Sequence, residues 1–275
     1  MDLIKVANET VDIMERGSYT YGGAIVSIEA SQAVAVAGTV TYAPDALDNV
    51  VTPGQGSAPK ITVTHESTSA AAYRLASQGL DVAALNFASA RHPGGGFLKG
   101  SKAQEEDLAR CSSLYLCLLG QTEYYEANKT VSPLYTDHLI YSPQVPFFRD
   151  DNLAFVEKPY LVSIITSPAP NVGALPKDSP DLVSVNEVLV TRARKILAAA
   201  VKHGHRTLVL GAWGCGVFRN SPDAVADIFS MWLYSPKFAG AFDHVVFAVY
   251  DHSKELNVLK AFQAKFGAAT TKENG

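Results

Sequence analysis

Between Lys60 and Phe266 the chain alternates short apolar or β-branched runs with longer segments of helical period. That alternation restricts the fold more than any other feature of its 275 residues. Lys60 to Thr64, Val82 to Asn86, Tyr160 to Thr166, Thr207 to Leu210 and His244 to Val249 read as strands. Ala70 to Ser77, with Ser67, Thr68 or Ser69 as cap and Gly79 as stop, reads as a helix. So do Gln104 to Gln121, Asp181 to His203, Pro222 to Leu233 and Leu256 to Phe266. Strands separated by helices of this length predict an α/β fold, a central and largely parallel or mixed sheet with helices on both faces. Upstream, Leu3 to Glu15 has a helical period stopped by Gly17, and Ala24 to Ile28, Ala33 to Ala37 and Thr39 to Tyr42 read as β-prone. The organisation expected is an extension over 1–59 packed on a core domain over 60–266, then a small, polar, disordered tail over 267–275.

Composition narrows the function. Hydrophobic residues make up 47% and charged residues 18%, too apolar for a disordered chain. A chain of this size buries roughly three quarters of its unfolded surface and needs no staple. Twenty-three basic against 27 acidic residues leave a net charge of −4, which argues against broad or sequence-specific capture of nucleic acid. The cysteines, Cys111, Cys117 and Cys215, are odd in number and form no CxxC pair, so a reducing compartment is expected. Met1 to Arg16 lacks an apolar signal core, and no run approaches the roughly 20 apolar residues of a membrane span. These readings predict a soluble, cytoplasmic protein with no membrane partner.

In open α/β sheets ligands sit on the loops after the strands, at their carboxyl ends. Two such loops stand out. The first runs from Asn86 to Gly100 and holds Gly94-Gly95-Gly96. Three glycines cost conformational entropy, which a close backbone approach to an anion would offset; a mobile turn is the equal alternative. Neither GK[ST] nor GxGxxG spacing follows, so a Walker loop and a dinucleotide site are disfavoured. Gln104-Glu105-Glu106-Asp107 then opens a helix, as candidate acid/base chemistry or as first-turn acids that suit the helix dipole. Helix neighbours do not face each other, so Glu105 and Glu106 are no pair flanking one bond, and at most one is the acid/base. The second loop, Gly211 to Asn220, follows a strand and leads into the helix at Pro222. Two glycine loops at strand ends favour a phosphate-containing ligand.

Gly94-Gly95-Gly96, seven residues, then Gln104-Glu105-Glu106 resembles the GGG-x(6–8)-QEE signature of poly(ADP-ribose) glycohydrolases. Asn86-Phe87-Ala88, Ser167 to Asn171 and Gly211 to Phe218 are similar to the compact bacterial and fungal branch, over about residues 60 to 260. The resemblance implies a macrodomain fold and hydrolysis of ribose–ribose O-glycosidic bonds to release ADP-ribose. It implies Glu106 as acid/base, Glu105 on ribose hydroxyls with Gln104 beside it, and Gly94, Gly95 and Gly96 around the substrate. It also implies Gly214, Cys215, Gly216, Val217 and Phe218 as the diphosphate loop, with Phe218 shaping the terminal-ribose pocket and Asn86 on that ribose. Tyr250 would stack on adenine, or is a core tyrosine; Glu66 would accept from the adenine amine, or is a first-turn acid. Arg219-Asn220 departs from the further glycines of the animal enzymes.

The partners implied are poly(ADP-ribose) or ADP-ribose and ADP-ribosylated proteins, met by a monomer that reverses ADP-ribosylation, as in the response to DNA damage. No metal and no cofactor is implied. Two rivals stand beside this reading: a reader that binds ADP-ribose without hydrolysis, and a hydrolase of mono-ADP-ribosylated protein or of a phosphorylated ADP-ribose. Of the remaining residues, His203 and His205 read as helix-end bases rather than a metal pair. Cys215 reads as packing rather than a nucleophile, Cys111 and Cys117 as core. His92, Lys99 and Lys102 stand for substrate contacts or solvated loop residues.

Overall fold

The structure, a computed structural model, describes residues 2–267, so the tail expected over 267–275 lies outside it apart from Gly267. The chain opens with helix α1 (Leu3–Arg16), capped by the Asp2 carboxylate and stopped by Gly17 at φ 64. A hairpin of β1 (Ser18–Tyr21) and β2 (Ala24–Ser27), helix α2 (Glu29–Gly38) and strand β3 (Val40–Tyr42) follow. Then come β4 (Lys60–Thr64), α3 (Thr68–Ala76), β5 (Val82–Phe87), α4 (Gln104–Cys111), α5 (Leu114–Leu119) and α6 (Thr122–Lys129). The chain continues through β6 (Leu139–Arg149), β7 (Phe155–Ser167), α7 (Val185–Lys202), β8 (Thr207–Gly211), α8 (Pro222–Leu233), β9 (His244–Ala248) and α9 (Asn257–Phe266).

Seven strands form one sheet in the order β3-β6-β7-β5-β8-β9-β4. The pairs β7-β5, β5-β8, β8-β9 and β9-β4 are parallel, while β6 runs antiparallel to both its neighbours. The expected α/β architecture, mixed sheet included, is what the chain forms. Side-chain alternation along each strand splits the core into two layers. Ala83, Leu85, Leu208, Leu210, Val245 and Phe247 face α7, α8 and α9. Val82, Ala84, Val209 and Val246 face α3, α4 and α5. Both faces being covered explains why these strands are near-continuous apolar runs.

Three local readings are corrected. Ala33 to Ala37, expected to be β-prone, lies inside α2. Alanine is the strongest helix former, and the buried Gln32 and Ala35 stand three apart on one helical face. The single helix expected from Gln104 to Gln121 is broken between α4 and α5, where Ser112 is extended at φ −147. Its hydroxyl donates to Leu108 O at 2.7 Å and accepts from Leu114 N at 3.2 Å, replacing the helical bonds. The helix expected from Asp181 begins at Val185, after a 3-10 turn over Pro180–Ser184. Strand β6 carries Pro143 and Pro146, a register shift between Ser142 and Val145, and Gln144 at φ 45, which hid it from a strand pattern.

No helix among the described residues is long and apolar enough to cross a membrane. Helix α1 packs on the loop after β5: Ala7, Phe97 and Ala109 form one buried cluster with Val11 and Tyr115 against it. The Thr10 hydroxyl donates to Arg110 O at 2.8 Å in the same buried contact. Helix α1 therefore buttresses α4 and the glycine loop.

Candidate active site

The carboxyl ends of β4, β5, β8 and β9 open onto one cavity of about 500 Å³, walled by Thr68, Phe87, Gln104, Trp213, Phe218 and Tyr250 among others. Strand β5 has β7 on one side and β8 on the other, so the chain leaves it at a topological switch point. The residues that close β5 and open α4 are held to each other here. Gln104 acts as a staple: its Oε1 accepts from Phe87 N at 2.8 Å, and its Nε2 donates to Leu85 O at 2.8 Å and Thr68 Oγ1 at 3.1 Å. The backbone of β5 thereby finds partners beyond its last ladder bond, and α4 is fixed in azimuth.

That fixation brings the two glutamates beneath the glycine loop. Glu105 is buried, with Oε2 accepting from Ser89 N at 2.6 Å and Oε1 from Asn86 Nδ2 at 3.2 Å. Glu106 is 8% exposed, and its Oε1 accepts from Gly96 N at 2.8 Å. Gly95, at φ +58, lies against both: a Cβ there would fall 2.4 Å from Glu106 Oε1 and 3.2 Å from Glu105 Oε2. The carboxylates converge on one side of the loop, in keeping with side chains that lean toward the helix N-terminus. They do not face each other across a substrate.

Burial, with the Glu106 charge adding to it, pushes the Glu105 carboxyl up to about 8 against the hydrogen bonds from Ser89 and Asn86. Glu105 thus holds its proton at neutral pH. The sign of the consequence follows from linkage. An unfolded carboxyl with the ordinary value of 4.5 has lost its proton where the folded one, at about 8, still binds it. Stability therefore falls as pH rises between those two values. Glu105→Gln should flatten this slope, and thermal melts of the two proteins across that range check it; parallel curves would remove Glu105 as the cause.

The second loop is closed by Asn220, which is buried. Its Nδ2 donates to Pro170 O at 2.9 Å and Gly214 O at 3.0 Å, tying the loop to the segment after β7. Gly214 at φ +73 has no room for a side chain, since a Cβ would fall 2.4 Å from Ala169 Cβ and 2.5 Å from Asn220 Nδ2. Arg219-Asn220, a departure at the sequence level, is here the closure of the loop. Gly214, Gly216, Val217 and Phe218 line the cavity, Val217 being 80% exposed. Cys215 is half-buried, and burial pushes its thiol up to about 12, the opposite of an activated nucleophile.

The other expected residues divide. Tyr250 is 59% exposed on the cavity wall beside His252, not a core tyrosine. Lys102 lines the cavity, while Lys99 and His92 are exposed on the first loop. Asn86 is fully buried; its amide reaches Glu105 and Thr166 Oγ1, so in this structure it orients a carboxyl rather than presenting itself to the cavity. Glu66 is held by Arg74, with Nη2 and Nε both donating to it. His203 stacks on Tyr141 at 3.5 Å between centroids, and His205 bonds Asp81 and Tyr141, so both are engaged far from the cavity. Cys111 and Cys117 are buried. Among the described residues no group of three or more His, Cys, Asp or Glu is placed to hold a metal.

Sequence reasoning gave Asp107 no role beyond the helix start and missed Asp151 and Asn152; all three line the same cavity. Burial raises the Asp107 carboxyl, although Ser69 donates to it at 3.0 Å. Asp107 stands three residues after Gln104, on the same face of α4, a spacing visible in the sequence. Asp151 and Asn152 come from the β6–β7 turn, and nothing local announces them.

A mixed sheet between helices, with glycine loops at the strand ends and an acid pair at the switch point, defines a macrodomain-like α/β hydrolase. Comparison with known proteins narrows this class. A family model for the microbial-type PARG (poly(ADP-ribose) glycohydrolase) catalytic domain matches residues 7–150. The poly(ADP-ribose) glycohydrolase of Thermomonospora curvata is 49% identical, with a TM-score of 0.91 over 96% of this chain and 99% of that one. Its complex with the inhibitor ADP-HPD superposes with a TM-score of 0.89 at the same identity and coverage. The Deinococcus radiodurans enzyme in complex with ADP-ribose is 46% identical, with a TM-score of 0.81 over 85% of this chain and 96% of that one. No curated protein sequence matches. The chain belongs to the microbial-type PARG catalytic domain family.

Proposed function

We propose that this chain hydrolyses the ribose–ribose O-glycosidic bonds of poly(ADP-ribose) and releases ADP-ribose, with Glu106 as the general acid/base. The observation that carries the assignment is the convergence of Glu105 and Glu106 under Gly95 and Gly96, beside a cavity of about 500 Å³ at the switch point. Glycoside cleavage passes through an oxocarbenium-like state and needs a proton on the leaving oxygen. Gly96 N–H holds Oε1 of Glu106, and among the described residues Oε2 takes no hydrogen bond. Oε2 delivers its proton to the leaving 2′-oxygen, then takes one from the attacking water. Glu105, kept protonated and clamped by Ser89 and Asn86, orients the ribose hydroxyls so that the bond lies within reach. Gly214 to Phe218 present backbone to the diphosphate near the N-terminus of α8, where the helix dipole favours an anion. The substrate's own diphosphate adds to the stabilisation of the cation. Phe218 bounds the terminal ribose, and Tyr250 offers an exposed ring to adenine.

Three free thiols, two of them buried, suit a reducing cytoplasmic setting, and a closed site within one chain suits action as a monomer on ADP-ribosylated proteins. The test is release of ADP-ribose from purified poly(ADP-ribose), followed by separation of the products. Steady release supports the assignment. Tight ADP-ribose binding without release would make the chain a reader and leave the glutamates as first-turn acids.

A further inference from the structure

Next to the glycine loop, outside the cavity, one segment is held in a conformation its own sequence does not favour. Tyr135 sits at φ +60, a left-handed backbone that a tyrosine rarely adopts. It persists because its surroundings over-determine it. Arg192 of α7, 1% exposed, spends its guanidinium on this segment. Its Nη2 donates to Leu134 O at 2.6 Å and Tyr135 O at 2.8 Å, its Nε to Asp137 Oδ1 at 2.8 Å, and its Nη1 to Pro168 O at 3.0 Å. A buried arginine thus locks the segment to the carboxyl end of β7.

The locked ring is presented to two neighbours. Its centroid lies 6.2 Å from that of Phe218, at an interplanar angle of 45°. On another side the exposed Arg91 places its guanidinium carbon 5.8 Å from the Tyr135 centroid, within cation–π range. Arg91 stands two residues after Ser89, whose N–H holds Glu105 and whose hydroxyl accepts from Arg91 N at 3.3 Å. Phe218 lines the cavity, whereas Tyr135 and Arg91 do not. The pair therefore sits outside the Phe218 wall, attached to the loop that covers the carboxylates.

Resting on the glycohydrolase reading, we infer that Arg91 and Tyr135 form a subsite for the nucleotide unit on the leaving side of the scissile bond. That unit must extend outward past Glu106, and it brings an adenine and a diphosphate. A rigid aromatic ring beside an exposed guanidinium, whose Nη2 otherwise donates only to Val131 O at 3.5 Å, recognises both, by stacking and by charge-assisted hydrogen bonds to phosphate. A unit held there positions the leaving 2′-oxygen and favours polymer over ADP-ribose with a small substituent.

The experiment compares kcat/KM on two probes, purified poly(ADP-ribose) and an ADP-ribose bearing a fluorogenic aryl group on C1 of its terminal ribose. Arg91→Gln lies at the surface and keeps the fold, and Tyr135→Leu tests the ring. Each should lower the ratio of polymer to aryl turnover about tenfold, chiefly through KM on the polymer, as expected from one phosphate contact or one stacked base. Arg91→Gln should also weaken the salt dependence of the polymer KM. Equal losses on both probes would mean that the residues act through Phe218 or Glu105, and an unmoved ratio that they touch no leaving unit; either overturns the subsite. A wild-type protein that cleaves the aryl probe alone overturns it as well, while one that cleaves neither defeats the glycohydrolase reading itself.

Discussion

Replacing Glu106 by Gln should reduce turnover of poly(ADP-ribose) by roughly 10²–10⁴-fold, the range general acid–base catalysis supplies. Glutamine keeps the shape and keeps an oxygen for the Gly96 N–H, which Oε1 of Glu106 now accepts at 2.8 Å. What it loses is the proton delivered to the leaving oxygen and recovered from water. Binding should survive, because the cavity is walled by Phe87, Gln104, Trp213, Phe218 and Tyr250 rather than by Glu106. Titration calorimetry with ADP-ribose should give nearly the same affinity for both proteins. A variant that turns polymer over at the native rate would sink the assignment. Equal loss of binding and turnover would place Glu106 in substrate holding instead.

The parts of this molecule that were legible in the sequence are those whose cause is local. Alternating strands and helices, the cap at Ser67, and the stop at Gly17 follow from patterns a few residues long. The glycine loop and the glutamates were visible as a motif, and the structure brings Gly95, Gly96, Glu105 and Glu106 together. Motif reading did not reveal that the Glu105 carboxyl is raised, because that shift comes chiefly from burial under a loop. Nor did it reveal Asn86 as a clamp, since its burial depends on β7 supplying Thr166 beside it. Strand β6 was hidden by its two prolines, and α2 by an alternating run of alanine and valine that favours a strand on pattern alone. In the sequence Arg192 is one base among several between Asp181 and His203, and only the long-range contact with Leu134, Tyr135 and Pro168 gives it a task.

Gly95→Ala should cost at least about a hundredfold in kcat, the scale of a 1 Å misplacement of reacting groups, although it removes no functional group. Gly95 has φ +58, a backbone that costs alanine roughly 1 kcal/mol or more. Strain is the smaller effect. The added methyl would lie 2.4 Å from Glu106 Oε1 and 3.0 Å from its Cδ, closer than atoms approach. One of them must move, and moving either breaks the 2.8 Å contact between Gly96 N–H and Glu106 Oε1 or turns the carboxylate away. Glu105 stands 3.2 Å away on the other flank, and Gly96, which holds Glu106 by its N–H, is the next residue. If the loop lifts, Gly96 N–H leaves Oε1; if Glu106 turns, its Oε2 leaves the scissile bond. Both outcomes disarm the acid while the second loop and the cavity wall stay in place. The variant should therefore melt within a few degrees of the native protein, as a loss of about 1 kcal/mol allows in a chain of this size. Gly22→Ala is the control: it has the same sign of φ, at +56, with nothing within 4 Å of the added carbon. It carries the strain without the clash. Loss of turnover in Gly95→Ala but not in Gly22→Ala would assign the effect to the glutamate contact, and equal activity in both would show that the loop yields without disturbing the acid.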